Sequence, residues 1–149
     1  MITLAVGIFL LYCLIIALVY GVQKSISDSF YTTKQRYYFT AMMLTASFML
    51  MIGAGENLWF VFGGFFIGMV GCAPNFKWKV WISEYVHGGS VFASIVCYLI
   101  GFSLINIWLG LSALGLILVA FYLLRKVNNP TWWQEIAIIL IIYIYLTSI

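Results

Sequence analysis

The stretch that decides the fold runs from Glu84 to Leu124, EYVHGGSVFASIVCYLIGFSLINIWLGLSALGLILVAFYLL. After Glu84 it contains no Asp, Glu, Lys or Arg, and Asn106 lies near its middle. As one helix it would be about 60 Å long at ~1.5 Å per residue, twice the ~30 Å hydrocarbon core of a bilayer. The stretch therefore predicts two membrane helices, 84–104 and 107–124, joined by a tight turn at Asn106.

The rest of the chain is also rich in apolar residues and poor in charged ones. Of its 149 residues, 65% are hydrophobic and only 7% are charged, whereas a soluble domain has about 25% charged residues. This composition excludes a soluble globular protein. Hydropathy and turn residues predict an all-α, single-domain membrane bundle of six transmembrane helices, at approximately 2–22, 37–53, 58–72, 84–104, 107–124 and 132–149.

The basic residues all lie in loops on one side of the predicted membrane. The first, third and fifth loops contain all of them: Lys24, Lys34, Arg36, Lys77, Lys79, Arg125 and Lys126. Because cytoplasmic loops are enriched in Lys and Arg, these loops are predicted to lie in the cytoplasm and both termini outside. The expected location is the inner or plasma membrane. The net charge of +3 then indicates contact with lipid headgroups, not nucleic acid. Trp132 and Trp133 are expected at the membrane interface.

The first polar cluster follows the first predicted span. Ser25, Ser27, Asp28 and Tyr31 belong to the segment SISDSFY. Asp28 is a candidate base or ligand, with Ser25 or Ser27 as its partner. The alternative is helix capping, in which Ser or Asp accepts hydrogen bonds from free backbone N–H groups.

The second cluster opens the fourth predicted span. Glu84 and His87 are three residues apart and therefore share a helix face, which continues through small and polar residues: Ser90, Ser94, Cys97 and Gly101. This face is expected to point into the bundle. A carboxylate beside an imidazole is suited to proton transfer or to half of a metal site. Close packing of small residues is the alternative.

The third and fourth clusters lie at the same membrane side. Cys72, Pro74 and Asn75 end the third span, whose Gly64-x-x-x-Gly68 pattern is typical of helix packing. The fourth cluster is Asn128, Asn129, Gln134 and Glu135. Its Glu135, near the start of the last span, is interpreted as a favourable charge at a helix N-terminus. All four clusters together predict a polar mouth formed by Asp28, Glu84, His87 and nearby hydroxyl groups.

Three short motifs carry a family resemblance: SISDSFY at 25–31, GCAPNF at 71–76 and EYVH at 84–87. They resemble a class of small, uncharacterised bacterial membrane proteins and, more distantly, the CREST group of alkaline ceramidases, progestin-type receptors and haemolysin III relatives. The second resemblance implies a zinc-dependent lipid amidase site, onto which Ser27, Asp28 and His87 map. That group has seven spans and three His ligands, whereas this chain has six predicted spans and one His. Zinc would need Asp28, Glu84 or Cys72 beside His87.

Three functions are compatible with these features. The first is binding or transport of a lipid or small solute; polar residues in mid-membrane are few, which disfavours an alternating-access carrier. The second is a lipid hydrolase, and its catalytic candidates are Asp28, Ser27, Glu84 and His87. The third is a homo-oligomer or a subunit of a larger membrane complex, in which the aromatic surface (19% Phe, Trp and Tyr) packs against a partner. It requires lipid-facing small or aromatic patches, such as Gly63, Gly64 and Gly68. No nucleotide or other cofactor motif is evident. The candidate ligand-binding residues are Ser25, Ser27, Asp28, Tyr31, Asn75, Glu84, His87 and Ser90.

Overall fold

The computed structural model describes residues 1–33, 37–75 and 80–149, except for the side chains of residues 80–84. Within these ranges the chain is all-α and contains no strand. The helices are α1 (Ile2–Tyr20), α2 (Ser29–Thr32), α3 (Tyr37–Gly53), α4 (Leu58–Cys72), α5 (Val80–Ile105), α6 (Ile107–Leu124) and α7 (Pro130–Ser148), and a 3-10 turn, Ala73–Asn75, follows α4.

The described helices are long and apolar. Five stretches are long and apolar enough to cross a membrane: α1, α4 with its 3-10 turn, Tyr85–Ile105 of α5, α6 and α7. The helix α3 is equally apolar in character but has only 17 residues. The all-α prediction is therefore confirmed.

Polar residues and glycines separate the helices. Gly21 ends α1 with a φ of 79°, a conformation that glycine adopts without strain. Asn57 and Asn106 cap α4 and α6, because their side-chain oxygens accept hydrogen bonds from the backbone N–H groups of Trp59 and Trp108. The break predicted at Asn106 is thus confirmed, and a capping side chain explains it.

Three helix boundaries differ from the prediction by two residues or more. The helix α1 ends at Tyr20 because Gly21 leaves the helical conformation, and α5 begins at Val80, one turn before Glu84. The helix α7 begins at Pro130 instead of Trp132, since proline lacks only an N–H that the first helical turn does not use. The short helix α2 was not predicted, because its serines and Asp28 indicated a loop.

The six long helices contact one another in chain order. Each of α1, α3, α4, α5, α6 and α7 packs on the next, and α7 contacts α1 to close a ring. The most extensive contacts are those of α4 with α3 and with α5. The helix α6 is attached through α5 and α7 and is the least buried of the five long apolar stretches.

Glycines allow α4 to pack closely against both neighbours. Gly63 lies against the ring of Tyr98 on α5, and Gly64 lies against the backbone of Met51 on α3. The hydroxyl group of Ser94 donates to the carbonyl of Gly63 at 2.9 Å, and that of Ser47 donates to the carbonyl of Gly64 at 2.7 Å. These glycines, together with Gly68, are buried. The packing interpretation is confirmed, and the expectation that they face lipid is wrong.

Trp132 also differs from its predicted position. Only 1% of its surface is exposed, whereas Trp133 is 38% exposed. Because α7 begins at Pro130, Trp132 lies in the first turn and belongs to the hydrophobic core, and only Trp133 is available as an interfacial residue.

Candidate ligand cavity

A cavity of about 60 Å³ lies inside the ring, at the end that carries the first, third and fifth loops. Five helices and the first loop contribute its described lining: Phe9 of α1, Ile26 and Ser27 of the loop, Phe39 and Met43 of α3, Ile67 and Val70 of α4, His87, Val91, Ser94 and Ile95 of α5, and Glu135, Ile138, Ile139 and Ile142 of α7. From Glu135 to Ile142 the lining extends about 10 Å along α7 at ~1.5 Å per residue.

The cavity has one polar end and an apolar body. Ser27, His87 and Glu135 form the polar end. Of the other described lining residues, only Ser94 is polar, and its hydroxyl group donates to the Gly63 carbonyl. A small set of polar groups above an apolar surface is the usual composition of a small-molecule site, where the polar groups fix the orientation of the ligand.

Glu135 organises the polar end. Its Oε1 lies 3.8 Å from Nε2 of His87, and its Oε2 accepts a hydrogen bond of 2.7 Å from the backbone N–H of Ile26. The side chains of His87 and Glu135 are 24% and 18% exposed. One carboxylate therefore connects the first loop, α5 and α7.

Other hydrogen bonds hold the first loop against the bundle. Ser29, fully buried, donates to the carbonyl of Ile26 and lies 2.7 Å from the hydroxyl oxygen of Tyr12 on α1. The side-chain amide of Asn129 donates to the carbonyl of Val22 at 2.9 Å. Ile26 is consequently 3% exposed and forms part of the cavity wall.

In the first polar cluster, one residue lines the cavity and another hydrogen-bonds to the backbone. The hydroxyl oxygens of Ser25 and Ser27 lie 3.0 Å apart, and Ser25 Oγ also accepts the backbone N–H of Asp28 at 3.3 Å. Ser27 lines the cavity. Asp28 precedes α2 without a capping hydrogen bond from its side chain, and it is absent from the described lining, as are Ser25 and Tyr31.

The second cluster faces inward as predicted. Ser90, Ser94, Cys97 and Gly101 are buried. His87 reaches the cavity, and its ion-pair partner among the described side chains is Glu135. The side chain of Glu84 lies outside the described residues, so its pairing with His87 stays a prediction.

Side chains of the third cluster form hydrogen bonds at the contact between α3 and α4. Asn75 donates to the hydroxyl oxygen of Thr40 at 3.0 Å and to the carbonyl of Cys72 at 3.3 Å, and Thr40 donates to the carbonyl of Gly71. Neither Cys72 nor Asn75 is among the described lining residues. Three of the four clusters therefore meet at the cavity, and the third packs beside them.

The interpretation of Glu135 as a helix-terminal charge is wrong. With α7 beginning at Pro130, the first turn contains no acidic residue and Glu135 lies in the second turn. The signal that identifies it is its spacing: Ile138, Ile139 and Ile142 follow at intervals of three, four and seven, on the same helix face. A carboxylate on an apolar inward face of a membrane helix is a functional candidate.

The described donors do not by themselves form a zinc site. No group of three His, Cys, Asp or Glu side chains occurs in the part of the chain that the structure describes. His87 and Glu135 supply two donors, whereas catalytic zinc takes three protein ligands.

Comparison of the chain with models of protein families, with curated proteins and with solved structures finds no significant match. The resemblance to the CREST group thus rests on its three short motifs.

Proposed function

We propose that this chain is a six-span protein of the cytoplasmic membrane that binds an amphipathic lipid or small solute in the cavity. Five long apolar helices, the apolar α3 and the basic residues of alternate loops support this topology. In the proposed orientation both termini lie outside, and the polar end of the cavity faces the cytoplasm.

The observation that carries the proposal is the composition of the cavity. Apolar side chains from α1, α3, α4, α5 and α7 surround its body, and Ser27, His87 and Glu135 lie together at one end. The cavity of about 60 Å³ is partly open, so a ligand longer than the enclosed space would extend through the open side.

Binding without alternating access is favoured over transport. The mid-bundle hydroxyl groups of Ser47, Ser94 and Thr45 already donate to backbone carbonyls, and that of Ser112 lies 2.7 Å from the Tyr145 hydroxyl oxygen. The hydrogen bonds of Ser47, Ser94 and Ser112 join neighbouring helices, and that of Thr45 lies within α3. A polar path across the bundle would have to break such hydrogen bonds.

A pair of substitutions on α7 tests the proposal. Ile139→Phe adds volume inside the cavity, whereas Ile144→Phe makes the same change at a residue that is 56% exposed. We expect lipid extracted from the purified parent and the Ile144→Phe variant to contain one enriched amphipathic species, identified by mass spectrometry. The Ile139→Phe variant should lose it. Equal retention by all three proteins would contradict a ligand in this cavity.

A lipid hydrolase is the second candidate, favoured by the presence of Ser27, His87 and Glu135 in one lining. In such an enzyme the Ser27 oxygen attacks an ester carbonyl while His87 takes its proton and passes it to the leaving alcohol. Water then releases the acid, with Glu135 orienting the imidazole. Ser27→Ala should abolish hydrolysis of a 4-nitrophenyl ester, and Ser25→Ala should retain it. Loss of activity with a chelator would instead favour the zinc hypothesis.

A role as a subunit of a homo-oligomer or larger complex is the third candidate. Its predicted glycine surface is buried, whereas exposed aromatic side chains such as Phe48, Phe62 and Phe92 and the mostly exposed α6 support it.

A further inference from the structure

The charges around the cavity indicate which headgroup it accepts. Glu135 is the only acidic residue among the described lining residues, and none of those residues is Lys or Arg. The described cavity therefore has a formal charge of −1 with neutral His87 and of zero with protonated His87.

The carboxylate has a free acceptor position. Oε2 of Glu135 accepts the Ile26 N–H at 2.7 Å. Oε1 accepts no hydrogen bond from any described residue, since its distance of 3.8 Å to Nε2 of His87 is too long for one. A ligand that donates hydrogen bonds would satisfy Oε1 and strengthen the interaction through its own charge.

The same charge disfavours an anionic ligand. A carboxylate head at the polar end would face the charge of Glu135 in a site of low dielectric constant, where like charges repel strongly.

We propose that the ligand is a lipophilic amine, whose protonated nitrogen binds Glu135 at the polar end and whose hydrocarbon chain lies against Ile138, Ile139 and Ile142. This inference rests on the proposed binding function and names the ligand class for the same cavity.

Three probes with the same chain and different heads test this assignment: dodecylamine, dodecanol and dodecanoate. Their binding to the full chain in uncharged detergent micelles is titrated by native mass spectrometry. The variants are Glu135→Gln, which keeps an oxygen acceptor for the Ile26 N–H, and Ile139→Phe. Glu56→Gln is the matched control, because it removes the same charge from an exposed turn residue outside the described lining.

We expect the parent and Glu56→Gln to bind dodecylamine at least about tenfold more tightly than the other two probes, the ratio that corresponds to ~1.4 kcal/mol. Glu135→Gln should lose this preference and bind dodecylamine and dodecanol alike. Ile139→Phe should bind none of the three.

The alternative outcomes separate the two proposals. Equal binding of amine and alcohol by the parent, still lost in Ile139→Phe, would overturn the amine assignment and leave the cavity as a binding site. The same holds for a preference for dodecanoate. No binding of any probe, or binding unaffected by Ile139→Phe, would overturn both proposals. If Glu135→Gln does not fold, the preference of the parent among the three probes tests the amine assignment by itself.

Discussion

At the scale of single residues, the Glu135 carboxylate both anchors a buried backbone N–H group and lies in the cavity. It accepts the backbone N–H of Ile26, which is 3% exposed, and it lies beside His87 at the polar end of the cavity. A buried N–H group without an acceptor costs about 1–3 kcal/mol. The carboxylate is therefore structural for the loop as well as available to a ligand.

Substitution of Glu135 separates these roles. We expect Glu135→Ala to lower the free energy of unfolding by about 1–3 kcal/mol, because Ile26 N–H loses its acceptor. Glu135→Gln should lose less, since an amide oxygen still accepts. Asp28→Ala, the control, should stay within about 0.5 kcal/mol, because its side chain caps no helix. The measurement is denaturant unfolding in micelles, together with hydrogen exchange at Ile26. Unchanged exchange at Ile26 in Glu135→Ala would contradict the anchoring role.

Two of the three residues of this polar end, Ser27 and His87, could be predicted from the sequence. His87 was placed on an inward face because small and polar residues follow it at helical intervals. Its partner Glu135 is on another helix, and the spacing of residues within α5 contains no information about α7. Ser27 and Asp28 are candidates from the same segment, SISDSFY, and of these two only Ser27 lines the described cavity.

At the scale of helices, α4 depends on glycine for its position between α3 and α5. A Cβ atom on Gly71 would overlap the Cβ atom of Met43 on α3, which is too close to the backbone to move away easily. On α6, by contrast, Gly115 has open space around its Cα atom. An added Cβ atom would therefore clash at Gly71 and fit without contact at Gly115.

Alanine substitutions at these two glycines should therefore have opposite effects. Gly71→Ala should lower the free energy of unfolding by about 1–3 kcal/mol through overpacking. Gly115→Ala should leave it unchanged or raise it by up to about 1 kcal/mol, because alanine favours a helix. Thermal melting of both variants in the same detergent measures the difference. A stable Gly71→Ala variant would show that α3 and α4 can separate without loss.

The sequence predicts which segments are helical better than it predicts the residue at which each helix begins. Long apolar runs and the residues Gly55, Asn57 and Asn106 locate most helix ends. The starts of α5 and α7 extend into segments rich in Trp, Lys and Pro, whose composition indicates loops at a membrane interface. At the start of α7, the packing of the buried Trp132 into the core decides the boundary.

At the scale of the whole molecule, the ring order of the helices brings the first and last segments together. The first, third and fifth loops follow alternate long helices, and these loops contain every Lys and Arg of the chain. The positive-inside rule applies most strongly to such short loops. The proposed orientation is consequently a property of the entire chain and not of one helix.

Cysteine labelling in cells that express the chain tests this orientation. With Cys13, Cys72 and Cys97 replaced by serine, single cysteines are introduced by Glu56→Cys and Lys126→Cys, both at exposed turn positions. A membrane-impermeant maleimide should label the first in intact cells and the second only after lysis. The reverse pattern would invert the proposed topology, and labelling of both in intact cells would contradict the membrane arrangement.

The hydrogen bond between Ile26 and Glu135 joins residues 109 positions apart. Because a ribosome releases the chain from its N-terminus, the carboxylate is synthesised only after the α1, α3, α4 and α5 walls of the cavity. Until α7 emerges, Ile26 N–H lacks its Glu135 acceptor, and the first loop is held by the contact of Ser29 with Tyr12 on α1. A chain truncated before α7 would therefore lack the carboxylate of the proposed site, so binding of the proposed ligand would require synthesis of the last helix.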